Sequence, residues 1–294
     1  MAVSPAHRFG QIIGEVLEQA ILPLLQDFAK KHGLYLDKHG SRPCRQGQKC
    51  VWKDLNGNSH DLDFVLERGG TAHKKGMPVA FIETAWRRYT KHSRNKAQEI
   101  QGAIVPLVET YRNASPFIGV VLAGVFTEGA LTQLKSLGFT VLYFPYESVV
   151  AVFRKAGIAA DFDEDTPDAD FQRKVDAYER MPGPRRKALA RHLLKAHQVD
   201  VDHFLNSLTA AVYRQIERII VLPLHGKTVE LRTVDDAVRF IQDYGDKCGG
   251  GPVERYEILI RYNNGDKIEA FSRDKESAIK YLRTYQPVPV NQST

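Results

Sequence analysis

Two nearly uninterrupted apolar runs, at 78–85 (PVAFIETA) and 117–126 (FIGVVLAGVF), constrain the fold of this chain most strongly. An apolar run without polar alternation is typical of a strand that is buried on both faces, as in the centre of a parallel sheet. A more polar stretch at 93–111 separates the two runs and predicts a helix. The order strand, helix, strand predicts an α/β fold with helices packed on a central sheet.

The segments before these runs extend the pattern. Residues 9–31 place apolar side chains at helical spacing and predict an amphipathic helix. Residues 51–55 and 60–67 are extended runs joined by Asn56-Gly57, which is a strong signal for a hairpin. Residues 34–37 are a further candidate strand. We therefore predict a mixed central sheet flanked by helices.

The second half has a different organisation. Residues 161–170 (DFDEDTPDAD) hold six acids, but Thr166 and Gln172 stand where a calcium loop has Gly and Glu, so we predict an acidic linker. Two domains are predicted, a core at 1–160 and a helical plus small α+β region at 171–294. The second region is predicted as helical at 171–222 with a break near 198–202, followed by strand 228–232, helix 234–244, strands 255–262 and 267–271, and helix 275–285.

Positive charge is concentrated in one stretch. The chain carries a net charge of +6, and residues 42–96 hold 12 basic and 5 acidic residues, which gives +7 for this stretch alone. A focused positive field favours a polyanion partner such as nucleic acid. The alternative is a solvated, loop-rich face.

Composition also indicates a compartment. No apolar run approaches the roughly 18 residues that a membrane span requires, and the N-terminal residues lack the layout of a secretory signal. Three dispersed cysteines are typical of free thiols in a reducing setting. We expect a cytoplasmic protein without a membrane partner.

Two carboxylates fall at the ends of predicted neighbouring strands. Asp63 lies in the second hairpin run, and Glu83 ends the apolar segment Val-Ala-Phe-Ile. A carboxylate in a buried strand is costly unless it is paired or faces a cleft. Two such groups can share Mg²⁺, for which Mn²⁺ can substitute, with water and phosphate oxygens as further ligands.

At this point the chain resembles the PD-(D/E)XK nuclease superfamily, which has a restriction-endonuclease-like fold. The segment Asp63-Phe64-Val65-Leu66 is similar to the family's Asp segment, and Phe81-Ile82-Glu83-Thr84-Ala85 is similar to its Glu-x-Lys strand. The resemblance lays the family's helix, three-stranded meander, helix and strand on helix 9–31, strands 51–55, 60–67 and 78–85, helix 93–111 and strand 117–126. It implies Asp63 and Glu83 as metal ligands in a hydrolase that acts on phosphodiester bonds.

Ala85 departs from the family pattern, because it occupies the position of the lysine. Some branches of the family move this lysine to the following helix, where Lys96 is our first choice and Lys91 the second, with Arg94 also available. Its role would be to position the attacking water and stabilise developing charge. The alternative for Lys96 is an ordinary solvated helix face.

Three further acids are secondary candidates for the metal site. Asp61 alternates in phase with Asp63 and is a second choice or an additional ligand. The family resemblance also implies roles for Glu99, because related enzymes use an acid from that helix, and for Glu18, because some branches add an acid from the first helix.

The cations near these acids are candidates for phosphate contacts. A cluster of cations at a helix start is unfavourable for the helix dipole, which a phosphate partner would offset. A helix–turn–helix is one interpretation of 185–222, and a solvated helix packed on its neighbour is the other. The candidate DNA-binding residues are Arg87, Arg88, Lys91, Arg94, Arg185, Arg186, Lys187 and Arg191.

Other chemistries find little support. The spacing of His39, Cys44, Cys50 and His60 matches no compact zinc site. The chain has no G-x-x-x-x-G-K-[ST] phosphate loop, so no nucleotide cofactor is expected.

The sequence thus predicts a Mg²⁺-dependent DNA endonuclease, most like a type II restriction endonuclease. The core at 1–160 would be catalytic, and 171–294 would serve DNA recognition or dimerisation. Double-stranded DNA is the expected partner, and a homodimer is expected because cutting both strands usually needs two sites. The alternatives are a catalytically inert nuclease-like fold that binds nucleic acid, and a small-molecule enzyme whose basic patch is incidental.

Overall fold

A computed structural model describes residues 4–112, 114–224, 226–244 and 254–285. These residues form two units, of which the first ends at Val212 and the second begins at Tyr213. The first unit contains α1 (Pro5–Lys31), β1 (Leu34–Lys38), β2 (Cys50–Lys53), β3 (Ser59–Leu62), β4 (Phe64–Arg68), β5 (Met77–Arg87), α2 (Thr90–Thr110), β6 (Phe117–Gly124), α3 (Glu128–Ser136), β7 (Thr140–Pro145), α4 (Tyr146–Lys155), α5 (Asp168–Glu179), α6 (Gly183–Ala196) and α7 (Gln198–Val212). The second contains β8 (Ile216–Pro223), β9 (Val229–Leu231), α8 (Val234–Asp243), β10 (Tyr256–Tyr262), β11 (Lys267–Ser272) and α9 (Lys275–Arg283).

The first unit is built on a five-stranded mixed sheet with the order β1-β4-β5-β6-β7. The pairs β1 with β4 and β4 with β5 are antiparallel, whereas β5, β6 and β7 run parallel. Every residue of β6 is buried, as its uniformly apolar sequence predicts. The predicted α/β class with a mixed sheet and flanking helices is confirmed.

Helices cover both faces of this sheet, and each face has its own core. On one face α1 packs against α5 and α6, and its side chains Phe9, Leu17 and Leu25 are almost fully buried. On the other face α2 and α3 pack with Trp52 and Phe81. These two cores place α1 and α2 on opposite sides of β5, the strand that carries Glu83.

The position of the first sheet strand corrects the sequence prediction. The strand predicted at 51–55 is β2, which pairs with β3 in a separate hairpin. The first strand of the central sheet is instead β1, where Leu36 lies opposite Leu66 of β4. The predicted hairpin itself is confirmed, with Gly57 at its turn at a positive φ of 83°.

The predicted domain boundary between 160 and 171 is also wrong. Phe171 of α5, Leu189 of α6 and Phe204 of α7 are buried in the core on the α1 face. Because these side chains complete the covering of the central sheet, the helices belong to the first unit. The boundary therefore lies at 212/213.

The second unit is a four-stranded antiparallel sheet with the order β11-β10-β8-β9, and α8 and α9 pack on one face. The helix predicted up to residue 222 ends ten residues earlier, and Ile216–Pro223 is a strand. The remaining predicted elements of this unit are confirmed. Among the described residues, none of the helices combines the length and apolar composition that crossing a bilayer requires.

Candidate active site

Asp63 lies between two strands rather than within one. The structure divides the run predicted as a single strand at 60–67, so that β3 ends at Leu62 and β4 begins at Phe64. Phe64, the first residue of β4, lies opposite Ile82 at one end of the pairing with β5. Asp63 therefore lies just beyond the paired region, next to the segment of β5 that carries Glu83 and Thr84.

Three hydrogen bonds join Asp63 to β5. The backbone N–H of Asp63 donates to Oε1 of Glu83 at 3.1 Å. In return, the backbone N–H and the hydroxyl of Thr84 both donate to Oδ2 of Asp63, each at 2.7 Å. The two carboxylates predicted from the sequence are thus brought together by direct contacts.

Glu83 is only 7% exposed. It alternates with Phe81 and Ala85, which belong to the core on the α2 face, so its side chain lies on that side. Burial, with the neighbouring charge of Asp63 as a second cause, raises the pKa of Glu83 from 4.5 to about 8. A strongly perturbed carboxyl beside a second carboxylate is typical of functional sites.

Glu18 and Asp61 surround this pair. Glu18 lies on an exposed position of α1, yet partial loss of water around its carboxylate and the charge of Asp63 raise its pKa. Asp61 forms an ion pair with Lys49 at 3.1 Å, and its charge contributes to the raised pKa of Glu83. The charge of Asp63 therefore raises the pKa of both Glu18 and Glu83.

The two candidate lysines, Lys96 and Lys91, have different surroundings. Lys96 lies close enough to Glu83 for its charge to lower the pKa of that carboxyl, opposing the effect of burial. Its ammonium group also pairs with Glu99 at 3.2 Å, and Glu99 is 60% exposed. Lys91 is instead directed to Glu164, at 3.1 Å, in the acidic segment. Of the two predicted lysines, the geometry favours Lys96.

The predicted phosphate-binding cations differ in availability. Arg88 stacks on the ring of Tyr146 at 4.0 Å and donates to the carbonyl of Phe162, so its guanidinium is occupied by packing. Arg87 donates to the carbonyl of Trp86 and lies 4.0 Å from Glu99. Arg94 is exposed and has no polar partner among the described residues.

The cations of α6 show a similar division. Arg186 donates to the carbonyls of Met181 and Glu179, whereas Arg185, Lys187 and Arg191 are exposed. A single residue separates α6 from α7, and the apolar side of α7 packs against β5, β6 and β7. This packing buries one face of α7, whereas the opposite face exposes Asp200, Asp202 and His203, so a DNA-contact role for these helices stays a prediction.

Asp63 and Glu83 offer the oxygen donors that a hard cation prefers. Among the residues that the structure describes, no group of three or more His, Cys, Asp or Glu side chains is placed to hold a metal ion. Mg²⁺ commonly uses only one or two carboxylates and takes its other ligands from water and substrate phosphates. The carboxylate oxygens of Asp63 and Glu83 are therefore donors of the kind and number that Mg²⁺ accepts from a protein.

The weaker metal interpretations find no geometric support. His60 contacts Asp54 at 2.9 Å inside the hairpin, and Cys50 is buried beside Asp37, so the four zinc candidates are not gathered. In the acidic segment, Asp163 accepts hydrogen bonds from Thr166 and the backbone of Asp165, as in a tight turn.

Sequence reasoning missed two features. The first is Thr84, whose contacts with Asp63 depend on the break between β3 and β4. The second is a buried ion cluster in which Arg42 pairs with Asp37 at 2.8 Å and with Glu67 at 2.5 Å. Arg42 also donates to the carbonyls of Thr71 and Lys74, so this cluster anchors two loops next to β1 and β4.

Comparisons with known proteins place the chain in no family. No family model matches it, and no curated protein matches it. A solved structure that is similar in part is the crystal structure of AF1548, a protein of unknown function, at 11% identity. That similarity covers 64% of this chain and 98% of the other, with a TM-score of 0.27, which is too low to carry an argument about fold or function.

Proposed function

We propose that the chain is a Mg²⁺-dependent DNA endonuclease, most like a type II restriction endonuclease. The observation that carries the proposal is the pairing of Asp63 with Glu83 at the start of β4, where the Asp63 N–H contacts Glu83 Oε1 at 3.1 Å. Neither carboxylate has a cation within ion-pair distance among the described residues, which distinguishes this pair from the buried Asp37 and Glu67. Two buried or half-buried acids without such a partner favour a cation supplied from solution.

The surrounding charges support a polyanionic substrate. Lys96 lies beside Glu83, and Arg94 is exposed on the same helix, one turn or less away. Mg²⁺ bound by Asp63 and Glu83 would supply activation of water and neutralisation of charge on the scissile phosphate. Lys96 would stabilise the negative charge that develops on the phosphate, and Arg94 would contact a neighbouring phosphate.

The order of the central sheet also supports this assignment. An antiparallel meander of β1, β4 and β5 followed through α2 by the parallel strand β6 has the helix and strand order of the restriction-endonuclease-like fold that the sequence resembles. In that arrangement Asp63, just before β4, and Glu83 of β5 would lie at the metal-binding end. We further propose a homodimer, because cutting both strands of DNA usually needs two sites.

One observation favours an inert alternative. Ala85, at the position of the family's lysine, is 6% exposed and packs in the core on the α2 face. This position of β5 therefore supplies no positive charge. If Lys96 cannot replace it, the fold would bind nucleic acid without cutting it.

Plasmid cleavage tests the proposal. The protein is incubated with supercoiled plasmids of known sequence in Mg²⁺, in Mn²⁺ and in EDTA, and the ends of the products are mapped. We expect cleavage that requires the metal and is lost in Asp63→Asn and Glu83→Ala. Glu109→Gln, which neutralises an exposed acid of α2, is the matched control. Cleavage in EDTA, or full activity of both site variants, would refute a metal-dependent nuclease.

The lysine assignment has its own test. Lys96→Met should abolish cleavage while DNA binding persists, and Lys91→Met should change cleavage little, because Lys91 is directed to Glu164. Normal cleavage by Lys96→Met would transfer the role to another cation. DNA binding without cleavage by the wild-type protein on all plasmids would favour the inert alternative.

A further inference from the structure

Thr84 holds the carboxylate of Asp63 in one orientation. Its backbone N–H and its hydroxyl both donate to the same oxygen, Oδ2, at 2.7 Å each. We propose that Thr84 is a positioning residue that presents the other oxygen of Asp63, Oδ1, to a divalent cation. This inference rests on the function proposed above, because it concerns the same site.

The need for such a residue follows from the location of Asp63. Asp63 lies in the break between β3 and β4, so neither strand includes it and its orientation depends on side-chain contacts. Short hydrogen bonds to a carboxylate are among the strongest in proteins. Two of them on one oxygen restrict rotation of the carboxylate and leave Oδ1 without a polar partner among the described residues.

The contacts are reciprocal, which strengthens the restriction. Thr84 and Glu83 are adjacent in β5, and Glu83 accepts the hydrogen bond from the Asp63 backbone at 3.1 Å. A rotation of the Asp63 side chain would therefore break its bonds to Thr84, the residue that follows Glu83 in β5. One oxygen of each carboxylate takes part in these contacts, so Oδ1 of Asp63 and Oε2 of Glu83 are the oxygens left for a cation.

Threonine suits this position better than serine does. Its β-branched side chain has few χ1 rotamers in a strand, so the hydroxyl is already directed at Asp63. Serine retains the hydroxyl with more rotational freedom. Valine keeps the shape of threonine and removes only the hydroxyl donor, so the pair of variants separates packing from hydrogen bonding.

The test measures metal binding by the full chain without DNA. Mn²⁺ is titrated by calorimetry into the wild type, Thr84→Val, Thr84→Ser and the control Thr209→Val. Thr209 is also half-buried, and its hydroxyl bonds to the carbonyl of Leu205 within α7 rather than to Asp63 or Glu83. We expect Thr84→Val to raise the Kd for Mn²⁺ about tenfold or more, as other residues that orient metal ligands do. Thr84→Ser should restore most of the affinity, and Thr209→Val should match the wild type.

A cleavage assay adds a readout that a merely structural role would not move. The Mg²⁺ concentration for half-maximal cleavage should rise in Thr84→Val by about the same factor as the Kd, whereas the rate at saturating Mg²⁺ should fall less. Near-ultraviolet circular dichroism verifies folding. If Thr84→Val does not fold, Thr84→Ala removes the hydroxyl without adding a buried methyl group.

The outcomes separate this inference from the proposed function. Unchanged Mn²⁺ affinity in a folded hydroxyl-deleted variant, or no Mn²⁺ binding by the wild type, would overturn the role of Thr84. Mn²⁺ binding that depends on Asp63 and on Thr84, together with no cleavage of any DNA, would support the role of Thr84 and refute the nuclease assignment.

Discussion

Replacing Glu83 with glutamine should stabilise the protein at alkaline pH when no divalent metal is present. Glu83 is almost fully buried, and its pKa rises from 4.5 to about 8 in the folded state. Between these two values the folded protein holds a proton that the unfolded chain releases. Stability therefore falls as the pH rises from about 4.5 to about 8, and it is constant with respect to this group above that range.

The size of the effect follows from the same two values. A rise in pKa from 4.5 to about 8 makes ionisation in the folded state costlier by about 5 kcal/mol. Glutamine cannot ionise, and its amide oxygen can still accept the hydrogen bond from Asp63. We expect Glu83→Gln to exceed the wild type in free energy of unfolding by about 1 kcal/mol at pH 5 and by about 5 kcal/mol at pH 8.5.

Urea denaturation in EDTA at these two pH values measures the difference. Both tryptophans of the chain, Trp52 and Trp86, lie in the first unit, so their fluorescence reports the unfolding of the unit that contains Glu83. Glu109→Gln, at an exposed position of α2, is the control and should follow the wild type at both pH values. If Glu83→Gln and the wild type show the same dependence on pH, the reasoning about burial of an ionised Glu83 is refuted.

Three further predictions address the rest of the molecule. Arg42→Met should lower the free energy of unfolding by about 3 to 5 kcal/mol in urea denaturation, because it leaves the buried Glu67 without a counter-charge and Asp37 with Arg45 alone; a loss below about 1 kcal/mol would contradict this. A fragment that ends at Val212 should unfold cooperatively in circular dichroism, whereas one that ends at Ala160 should not, and a stable shorter fragment would disprove the assignment of α5–α7 to the first unit. Glu164→Gln should release Lys91 and raise the affinity for non-specific DNA by up to about fivefold in fluorescence anisotropy at low salt, and an unchanged affinity would show that this exposed ion pair does not compete with phosphate.

Short sequence patterns correctly predicted the strands and the turn that depend mainly on neighbouring residues. The apolar runs at 78–85 and 117–126 are the central strands β5 and β6, and Asn56-Gly57 is the turn of a hairpin. The adjacency of Asp63 and Glu83 followed from their positions at the ends of predicted neighbouring strands. In each case a few consecutive residues carry the signal.

The choice of strand partners could not be predicted in this way. Residues 34–38 and 51–55 are both short and extended, and only pairing across the sheet shows that the former joins β4. The apolar run at 216–223 is compatible with a helix or a strand, because a short apolar run shows neither the 3.6-residue period of a helix nor the two-residue period of a strand. The role of Thr84 depends on the break at Asp63, which the continuous pattern at 60–67 conceals.

The hairpin of β2 and β3, which the chain forms between β1 and β4, has a consequence for which changes of sequence the fold tolerates. Its turn at Asn56-Gly57 lies at the surface, where added residues cost little free energy of loop closure. Its other end leads directly into Asp63, where a shift of one residue would exchange the faces of the following strand. The turn is therefore free to lengthen or to change its side chains, while the junction with β4 must keep its register for the carboxylate to stay in place.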